Sequence, residues 1–342
     1  MAIETSRPDM HVEPSKHPMN YLITGAGGFV GHHLISRLLK AGHSVVGCDL
    51  TRPSNLPEGA VFAACDIRDR TQVEAAFAVT SIDYVVHLAA CVGDWGERAV
   101  FEATNIGGTE NVLSVALANG VKRAIHTSSI VVMGYDPGYS ADEAVGPVAQ
   151  GDIYTDTKAE AENVALRKQR EGAPIVIIRP GDVYGVGCEP WVNRPVRMME
   201  KGQLVWVDGG AGHFANTYVD NLIDGILLAI NHPDAVGETY IITDGVDSTT
   251  FKSYMSALAV ACGVRAPRFS VPMVVARLLA TLTEATARIF GFKPPMTRPA
   301  LRFVSKRCSY SITKAQKQLG YAPRVDLAEG LARIREGWAG PE

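Results

Sequence analysis

Short apolar segments recur along the first two thirds of the chain, separated by segments with helical periodicity. The apolar segments are rich in β-branched residues and hardly alternate with polar ones. That pattern is typical of strands that are covered on both faces in a parallel sheet. It predicts seven strands, at residues 21–24, 45–48, 61–64, 84–87, 124–127, 175–178 and 239–242.

Helical periodicity fills most of the intervals between these strands. After the first strand, the apolar residues at positions 34–39 share one helical face, and Gly42 is the expected end of that helix. Further helices are expected at about residues 97–119 and 154–170. The alternation of strands and helices predicts an α/β fold with right-handed crossovers and a doubly wound parallel sheet of the Rossmann type.

The pattern loosens after about Gly185, where proline and glycine interrupt the chain, and a final helical stretch is expected from about Phe251. We predict a dinucleotide-binding Rossmann domain and a smaller, partly interleaved C-terminal substrate lobe. The first takes residues 19–184 and regains 214–244, and the second takes 185–213 and 245–342. Such a lobe would lie over the carboxyl ends of the strands, where open α/β sheets bind ligands.

Composition and charge limit which partners and which cellular compartment are expected. The chain of 342 residues has a formal net charge of −3 at pH 7, so nucleic acid is not an expected partner. Its six cysteines are scattered without a C-x-x-C pair or metal-ligand spacing, which favours reduced thiols in a cytoplasmic protein without a metal. Residues 1–18 lack the apolar stretch of a signal peptide and are predicted to be a disordered tail.

The chain has no run of about 18 apolar residues, so no membrane span is expected. Residues 271–292 come nearest, but Arg277, Glu284 and Arg288 interrupt them. We predict an amphipathic helix here that covers a core or a pocket, with contact to a membrane surface as the alternative.

A glycine-rich turn joins the first predicted strand to the first helix. Gly25, Gly28 and Gly31 give the spacing G-x-x-G-x-x-G; the more usual G-x-G-x-x-G is not met, because position 30 is valine. Small residues let the backbone approach a pyrophosphate, whose charge then lies at the amino end of the helix. The position of this turn between a strand and a helix therefore predicts a dinucleotide phosphate loop.

Asp49 ends the second predicted strand, 24 residues after Gly25. A carboxylate at this position would accept hydrogen bonds from the adenosine ribose of NAD and repel the extra phosphate of NADP. Arg52 follows three residues later, and its positive charge would pair with that phosphate. We favour NAD, and NADP stays open.

Tyr154 and Lys158 lie four residues apart in a predicted helix and share one of its faces. The pKa of free tyrosine, near 10, is poorly matched to proton transfer at neutral pH, and a nearby cation lowers it. Ser129 ends the preceding strand segment, 25 residues before Tyr154, and could hold a substrate oxygen. Together these residues predict proton transfer at a carbinol or carbonyl group.

The combined order of these motifs resembles the extended short-chain dehydrogenase/reductase family, over nearly the whole chain from Met19 to Trp338. The resemblance is carried by the glycine loop, Cys65-Asp66-Ile67-Arg68-Asp69, His87-Leu88-Ala89-Ala90, Asn105 with Gly108-Thr109-Glu110-Asn111-Val112-Leu113, Thr127-Ser128-Ser129, Tyr154 with Lys158, Arg179-Pro180-Gly181-Asp182-Val183-Tyr184-Gly185 and Tyr218-Val219-Asp220-Asn221.

That resemblance implies site residues. Tyr154 would be the general acid/base, Lys158 would lower its pKa and hold the nicotinamide ribose, and Ser129 would hydrogen-bond the reacting oxygen. The amides of Phe29 and Val30 would contact the pyrophosphate. The remaining implied cofactor contacts are Gly25, Gly28 and Gly31 in the loop, Asp49 at the ribose, Asp66 and Ile67 near adenine, Leu88, Ala89, Ala90, Asn105 and Thr127 along the cofactor, and Pro180 and Val183 beside the nicotinamide amide. The resemblance also implies a homodimer in which the helices near 105–120 and 154–170 form a four-helix bundle.

Within this family the chain is most similar to 3β-hydroxysteroid dehydrogenase-like and β-keto-reductase-like members. The segment Gly93-Asp94-Trp95-Gly96 fits that group. Asp182 stands where many nucleotide-sugar enzymes of the family carry asparagine, and Ile130-Val131 replace the acid pair of the sugar dehydratases. The expected function is hydride transfer between NAD(P) and a small alcohol or ketone. A nucleotide-sugar epimerase with tightly held NAD and a non-catalytic NAD(P) sensor are the alternatives, although a sensor would typically lack Tyr154.

Overall fold

The computed structural model describes residues 17–338, so most of the tail predicted at 1–18 lies outside the described residues. Eleven strands occur in this part of the chain: β1 (Asn20–Thr24), β2 (Ser44–Asp49), β3 (Val61–Ala64), β4 (Tyr84–His87), β5 (Arg123–Thr127), β6 (Ile175–Pro180), β7 (Asp182–Tyr184), β8 (Trp206–Val207), β9 (Asn216–Tyr218), β10 (Thr239–Ile242) and β11 (Ser270–Val271).

Seven of these strands form one sheet in the order β10-β6-β5-β4-β1-β2-β3, and all of its neighbours pair in parallel. They are the seven strands that the apolar pattern predicts, and their bounds differ by at most two residues. The chain enters the sheet at β1, builds it outward through β2 and β3, and then continues on the other side of β1 with β4, so the strand order reverses between β1 and β4. The Rossmann-type sheet is therefore confirmed, and its ligand crevice is expected at this reversal.

Side chains of the strands point alternately into two apolar cores, one on each face of the sheet. Tyr21 and Ile23 lie in one core, whereas Leu22 lies in the other. The same alternation continues in β6, where Val176 faces the first core and Ile177 the second. Because both faces are buried in all strands except the edge strand β3, most strand positions are apolar, which explains why their sequences hardly alternate.

Twelve α-helices accompany the strands in the described residues: α1 (Phe29–Lys40), α2 (Arg70–Phe77), α3 (Arg98–Phe101), α4 (Gly108–Ala118), α5 (Ile153–Arg170), α6 (Arg194–Glu200), α7 (Val219–Asn231), α8 (Phe251–Ala261), α9 (Met273–Phe290), α10 (Arg298–Val304), α11 (Thr313–Leu319) and α12 (Leu327–Gly337).

Two of the predicted helices need correction. The segment 97–119 is not one regular helix, because a π-helical turn, Glu102–Gly107, separates α3 from α4. The stretch after Phe251 is five helices rather than one. Proline has no amide hydrogen and cannot continue a helix, and Pro267, Pro272 and the pair at 294–295 fall in the breaks.

The chain leaves the main sheet after β6 and returns to it with β10, which pairs with β6. Between these points β7 pairs with β9, and β8 pairs with β11 from further along the chain. The exact bounds of a substrate lobe stay a prediction. No helix within residues 17–338 has the length and apolar character needed to cross a bilayer.

Candidate active site

The carboxyl ends of the central strands bring the predicted site residues to one edge of the sheet. The glycine loop follows β1, Asp49 ends β2, and Leu88, Ala89 and Ala90 follow β4. Thr127 ends β5, two residues before Ser129, and Pro180 ends β6. The structure therefore brings together residues that are spread over more than 150 positions of the sequence.

The glycine loop is shaped by close backbone contacts. Gly25 has a φ of +73°, and a Cβ there would lie 2.9 Å from the amide nitrogen of Ala89. A Cβ at Gly31 would lie 2.2 Å from the carbonyl oxygen of Gly25. Gly28 begins α1 without a side-chain cap. The first amides of the helix, including those of Phe29 and Val30, are therefore not capped by a side chain, and helix amides of this kind bind phosphate.

Asp49 is held against this loop. One of its carboxylate oxygens accepts a hydrogen bond of 2.9 Å from the Gly27 amide, and the other accepts one of 2.8 Å from the Leu50 amide. The Asp49 carboxylate thus lies beside the glycine loop. If the loop holds a pyrophosphate, the adjoining ribose of the dinucleotide would lie next to this carboxylate. Arg52 is exposed nearby in the chain.

Asp66 and Ile67, which follow β3, are engaged within the protein. The Asp66 carboxylate pairs with the Arg68 guanidinium at 2.5 Å, and this pair lowers the pKa of Asp66. Ile67 is buried against Gly108, where a Cβ would lie 2.4 Å from its side chain. Their contact with adenine stays a prediction.

Asn105 lies on the π-helical turn and joins two parts of the site. Its side-chain amide donates to the Thr157 hydroxyl at 3.0 Å and to the Cys91 carbonyl at 3.1 Å. Its carbonyl oxygen accepts from the Cys91 amide at 2.7 Å. These bonds tie the loop after β4 to α5 and give Asn105 a structural role. Its contact with the cofactor stays a prediction.

Tyr154 lies in the first turn of α5, which Asp152 caps by accepting a hydrogen bond from the Thr155 amide at 3.0 Å. The Tyr154 side chain is half-buried, and desolvation raises its pKa to about 12. A hydrogen bond from Ser129 opposes this shift, since it stabilises the phenolate, whereas Asp152 adds to it. Ser129 is thus a neighbour of the Tyr154 phenol. The lowering of the Tyr154 pKa expected from Lys158 stays a prediction.

Lys158 is buried one turn further along α5. Its ammonium donates to the Thr127 carbonyl oxygen at 2.8 Å. Burial lowers the pKa of Lys158 to about 8, and the charge of Glu162 acts in the opposite direction. The Thr127 hydroxyl beside it is buried and has no hydrogen-bond partner within the described part of the chain. A buried hydroxyl without a partner is costly, and a bound ligand would satisfy it.

A second buried group, missed in the sequence analysis, lies behind Lys158. Glu162 is fully buried and pairs with Arg179 at 2.5 Å. Its other oxygen accepts a 2.5 Å hydrogen bond from the Ser128 hydroxyl. The available signal was the spacing, because Tyr154, Lys158 and Glu162 recur every four residues and so share a helix face.

Replacing Lys158 with methionine is expected to stabilise the cofactor-free protein at pH 7 by about 1–3 kcal/mol. The variant removes the cost of burying the ammonium, which is about 1.4 kcal/mol for each unit by which burial lowers the pKa of Lys158. Loss of the hydrogen bond to Thr127 offsets part of this gain in stability. Since burial lowers the pKa of Lys158 to about 8, its penalty is full below that pH and shrinks as the pH rises toward the unfolded value. Urea unfolding at pH 7 and at pH 10 measures both effects. Lys201→Met, at an exposed position, is the control. A Lys158→Met protein that is less stable than wild type at pH 7 would contradict the conclusion that burial of the Lys158 ammonium destabilises the fold.

A cleft of about 800 Å³ adjoins the amino end of α5. Its lining includes Asp152, the loop around Trp95, and Arg288 and Arg302 from the C-terminal helices. The loop is fixed across the cleft by a 2.5 Å hydrogen bond from the Thr297 hydroxyl to Asp94. The cleft is large enough for a small-molecule substrate, and its lining reaches Ile153, the residue before Tyr154.

Residues 21–243 match the NAD dependent epimerase/dehydratase family. The chain is 34% identical to a 3 beta-hydroxysteroid dehydrogenase/Delta 5-->4-isomerase from Mycobacterium tuberculosis, over 91% of this chain and 88% of that protein. It is 30% identical to a 2-alkyl-3-oxoalkanoate reductase from Stenotrophomonas maltophilia, over 93% of this chain and 98% of that protein.

The fold is also similar to that of solved structures. A UDP-glucose 4-epimerase from Thermotoga maritima, determined with UDP-glucose, superposes with a TM-score of 0.76 at 26% identity. The superposition covers 93% of this chain and 98% of the epimerase. The likeness therefore extends beyond the sheet to the C-terminal helices that border the cleft.

Proposed function

The chain belongs to the NAD-dependent epimerase/dehydratase family and is an NAD(P)-dependent oxidoreductase of the extended short-chain type; on this premise we propose that it transfers hydride between nicotinamide and a secondary alcohol or ketone. The substrate class we propose is a 3β-hydroxysteroid or a β-hydroxy or β-keto compound. The observation that carries the proposal is the arrangement at the carboxyl edge of the sheet, where the buried Lys158 ammonium donates to the Thr127 carbonyl oxygen one helical turn after Tyr154.

In the oxidising direction, the Tyr154 phenolate accepts the proton of the substrate hydroxyl as the carbinol carbon loses hydride. The Ser129 hydroxyl donates a hydrogen bond to the same oxygen and stabilises the negative charge that develops there. In the reducing direction Tyr154 returns the proton. Lys158 supplies a positive charge one helical turn from the phenol, which favours the phenolate.

The residues present fit a dinucleotide cofactor. The glycine loop has no room for side chains at Gly25 and Gly31, the start of α1 offers uncapped amides, and the Thr127 hydroxyl lacks a partner within residues 17–338. When bound, nicotinamide supplies the acceptor or donor of hydride. We propose that the loop holds the pyrophosphate, Asp49 holds the adenosine ribose, and Lys158 holds the nicotinamide ribose.

We further propose that NAD is preferred over NADP because of the charge of Asp49. Asp49→Asn keeps an oxygen that can accept from Gly27 but removes the charge that would repel the extra phosphate. The ratio of kcat/KM for NADP to that for NAD is expected to rise by about 10–100-fold, the size of one lost charged interaction. Asp234→Asn, at an exposed site, is the control. An unchanged ratio would show that Asp49 does not determine the preference for NAD.

The buried environment of Asp182 favours an alcohol or ketone over a nucleotide sugar. Its carboxylate accepts from the Ala215 amide at 2.8 Å and pairs with the buried ammonium of Lys306 at 3.3 Å. Both contacts engage the Asp182 carboxylate within the protein. Many nucleotide-sugar enzymes of the family carry asparagine at this position. After Ser129, Ile130 and Val131 are buried and apolar, so no acid pair is available there for dehydration.

The second candidate is an epimerase that oxidises and reduces the same carbon of a nucleotide sugar. The similarity to UDP-glucose 4-epimerase from Thermotoga maritima supports it. An epimerase keeps its NAD during purification and shows no net change in nicotinamide absorbance during turnover.

The two candidates are separated by steady-state assays of the purified chain. We would measure reduced-nicotinamide absorbance with hydroxysteroids, β-hydroxy acids and simple alcohols, each with NAD and with NADP. The proposal predicts a rise with one substrate class and dissociable cofactor. No rise anywhere, with NAD retained, supports the epimerase. Nucleotide binding without turnover of any substrate, nucleotide sugars included, supports a sensor.

We also propose a homodimer in which α4 and α5 of two protomers form a four-helix bundle. These helices pack side by side, and Glu110 of α4 pairs with Arg167 and Lys168 of α5. Sedimentation equilibrium measures the mass, and a monomer would contradict this arrangement.

A further inference from the structure

The side of α9 that faces away from the rest of the protein is apolar. Its large side chains are 45–80% exposed: Val274, Val275, Leu278, Leu279, Leu282, Ile289 and Phe290. The opposite side, with Ala276, Ala280, Glu284 and Ala287, is buried. At 100° per residue these two sets lie on opposite sides of the helix. The amphipathic helix predicted at 271–292 thus covers the protein with its small residues and exposes its large apolar ones.

The attachment of α9 to the protein does not use the exposed side chains. Ala276 and Ala280 pack against Leu301, and Glu284 pairs with Arg298 at 2.8 Å. Single exposed leucines are ordinary, but a contiguous row of seven large apolar side chains on one helix marks an interaction surface. We call this row, together with exposed Phe269 before the helix, the α9 face.

The charges around the α9 face indicate what covers it. Residues 261–300 contain six cations and one carboxylate, Glu284, in a chain whose net charge is −3. The cations are Arg265, Arg268, Arg277, Arg288 and Lys293, together with Arg298, which pairs with Glu284 on the buried side of α9. By helical spacing Arg277 and Arg288 lie along the border of the apolar row. An apolar helical face bordered by cations matches the interface of an anionic bilayer.

A second copy of the chain fits this surface less well. In a two-fold symmetric contact the same patch meets itself, so the cations around one α9 face would approach those around the other. Like charges across an interface oppose association. An anionic lipid surface instead satisfies both the apolar row and its cationic border.

We infer that α9 lies in the plane of an anionic phospholipid surface, with the α9 face toward the acyl chains and the bordering Arg277 and Arg288 at the headgroups. No helix in the described part of the chain could span the bilayer, so this is attachment from one side. Glu284, Ala287 and Arg288 of the same helix line the cleft. Docking therefore places the cleft beside the bilayer, whatever reaction takes place in it.

Co-sedimentation of the full chain with vesicles tests this inference. Vesicles of phosphatidylcholine mixed with phosphatidylglycerol are expected to bind at least about tenfold more protein than phosphatidylcholine alone. Leu278→Glu/Leu282→Glu is expected to lower the partition coefficient to the mixed vesicles at least about tenfold, because two exposed apolar side chains no longer enter the lipid. Val79→Glu/Val236→Glu adds the same charge at exposed valines elsewhere and is expected to bind like wild type.

Two further measurements keep the result interpretable. Thermal unfolding and NAD binding check that the variants fold, and Ile289→Ser provides a milder change in the same row. Wild-type protein that does not bind mixed vesicles, or variants of the α9 face that bind them as well as wild type, would overturn the inference. It would also be overturned by lipid-free protein that self-associates through this face, seen as an oligomer that Leu278→Glu/Leu282→Glu converts to monomer.

Discussion

Replacing Tyr154 with phenylalanine is expected to lower kcat by about 10²–10⁴-fold, the usual contribution of a positioned general acid or base. The ring of Tyr154 is retained, so the packing of α5 and the affinity for NAD should change little. The loss should therefore appear in kcat and not in the dissociation constant of the cofactor. Steady-state kinetics with the best substrate of the panel, together with fluorescence titration of NADH, measures both quantities.

The pH dependence of the same pair of proteins provides an independent check. Burial raises the pKa of Tyr154 to about 12 in the cofactor-free protein. The base form is the phenolate, so wild-type oxidation should rise with pH up to the pKa that the bound cofactor and Lys158 set. Tyr154→Phe should lose this rise, whereas Tyr139→Phe, at an exposed position, should keep it. Near wild-type turnover in Tyr154→Phe would show that another group moves the proton.

Replacing Glu162 with alanine is expected to destabilise the fold by about 3–5 kcal/mol, because it leaves a buried cation without its partner. Arg179 and Glu162 are 2% and 0% exposed, so without Glu162 the buried guanidinium keeps, within residues 17–338, only its hydrogen bond to the Val145 carbonyl oxygen. The Ser128 hydroxyl also loses its acceptor. Urea unfolding at pH 7 measures the change in the free energy of unfolding.

The matched control for Glu162 is an exposed ion pair. Glu74→Ala removes the partner of Arg70, both side chains of this pair are about half exposed, and such pairs contribute about 0–1 kcal/mol. The double variant Glu162→Leu/Arg179→Met should be more stable than Glu162→Ala, since it leaves no buried charge. A loss below about 1 kcal/mol in Glu162→Ala would mean that water reaches Arg179.

Loss of Glu162 should also change the chemistry of Lys158. The charge of Glu162 raises the pKa of Lys158, which burial lowers to about 8. Without Glu162 the ammonium would lose its proton at lower pH. We therefore regard Glu162 as a positioning residue that keeps Lys158 charged beside Tyr154.

Local pattern was sufficient to predict the sheet and the glycine turn after β1. Six of the seven strands have apolar, buried interiors, so the signal is present in each strand separately; the edge strand β3 is partly exposed. Gly25 and Gly31 are needed where β1 turns into α1, so the spacing of the glycines located the loop. Because the strands were predicted to be parallel, their carboxyl ends were expected at one edge of the sheet.

Features that depend on distant contacts were not predictable in this way. The Asp182–Lys306 pair joins residues 124 positions apart, and the sequence gives no sign that both are buried. The π-helical turn at Asn105 depends on its hydrogen bonds to Cys91 and Thr157, which lie on other elements. Periodicity indicated an amphipathic helix at 271–292, but not that its small side would be the buried one.

Deuterium transfer tests net hydride transfer by this site most directly. The purified protein would be incubated with NAD and the best hydroxysteroid or β-hydroxy substrate, deuterated at the carbinol carbon, and the products analysed by mass spectrometry. The account predicts one deuterium in reduced nicotinamide for each ketone released, and none with Tyr154→Phe over the same time. Unlabelled nicotinamide, with deuterium retained in a substrate whose configuration is inverted, would contradict it.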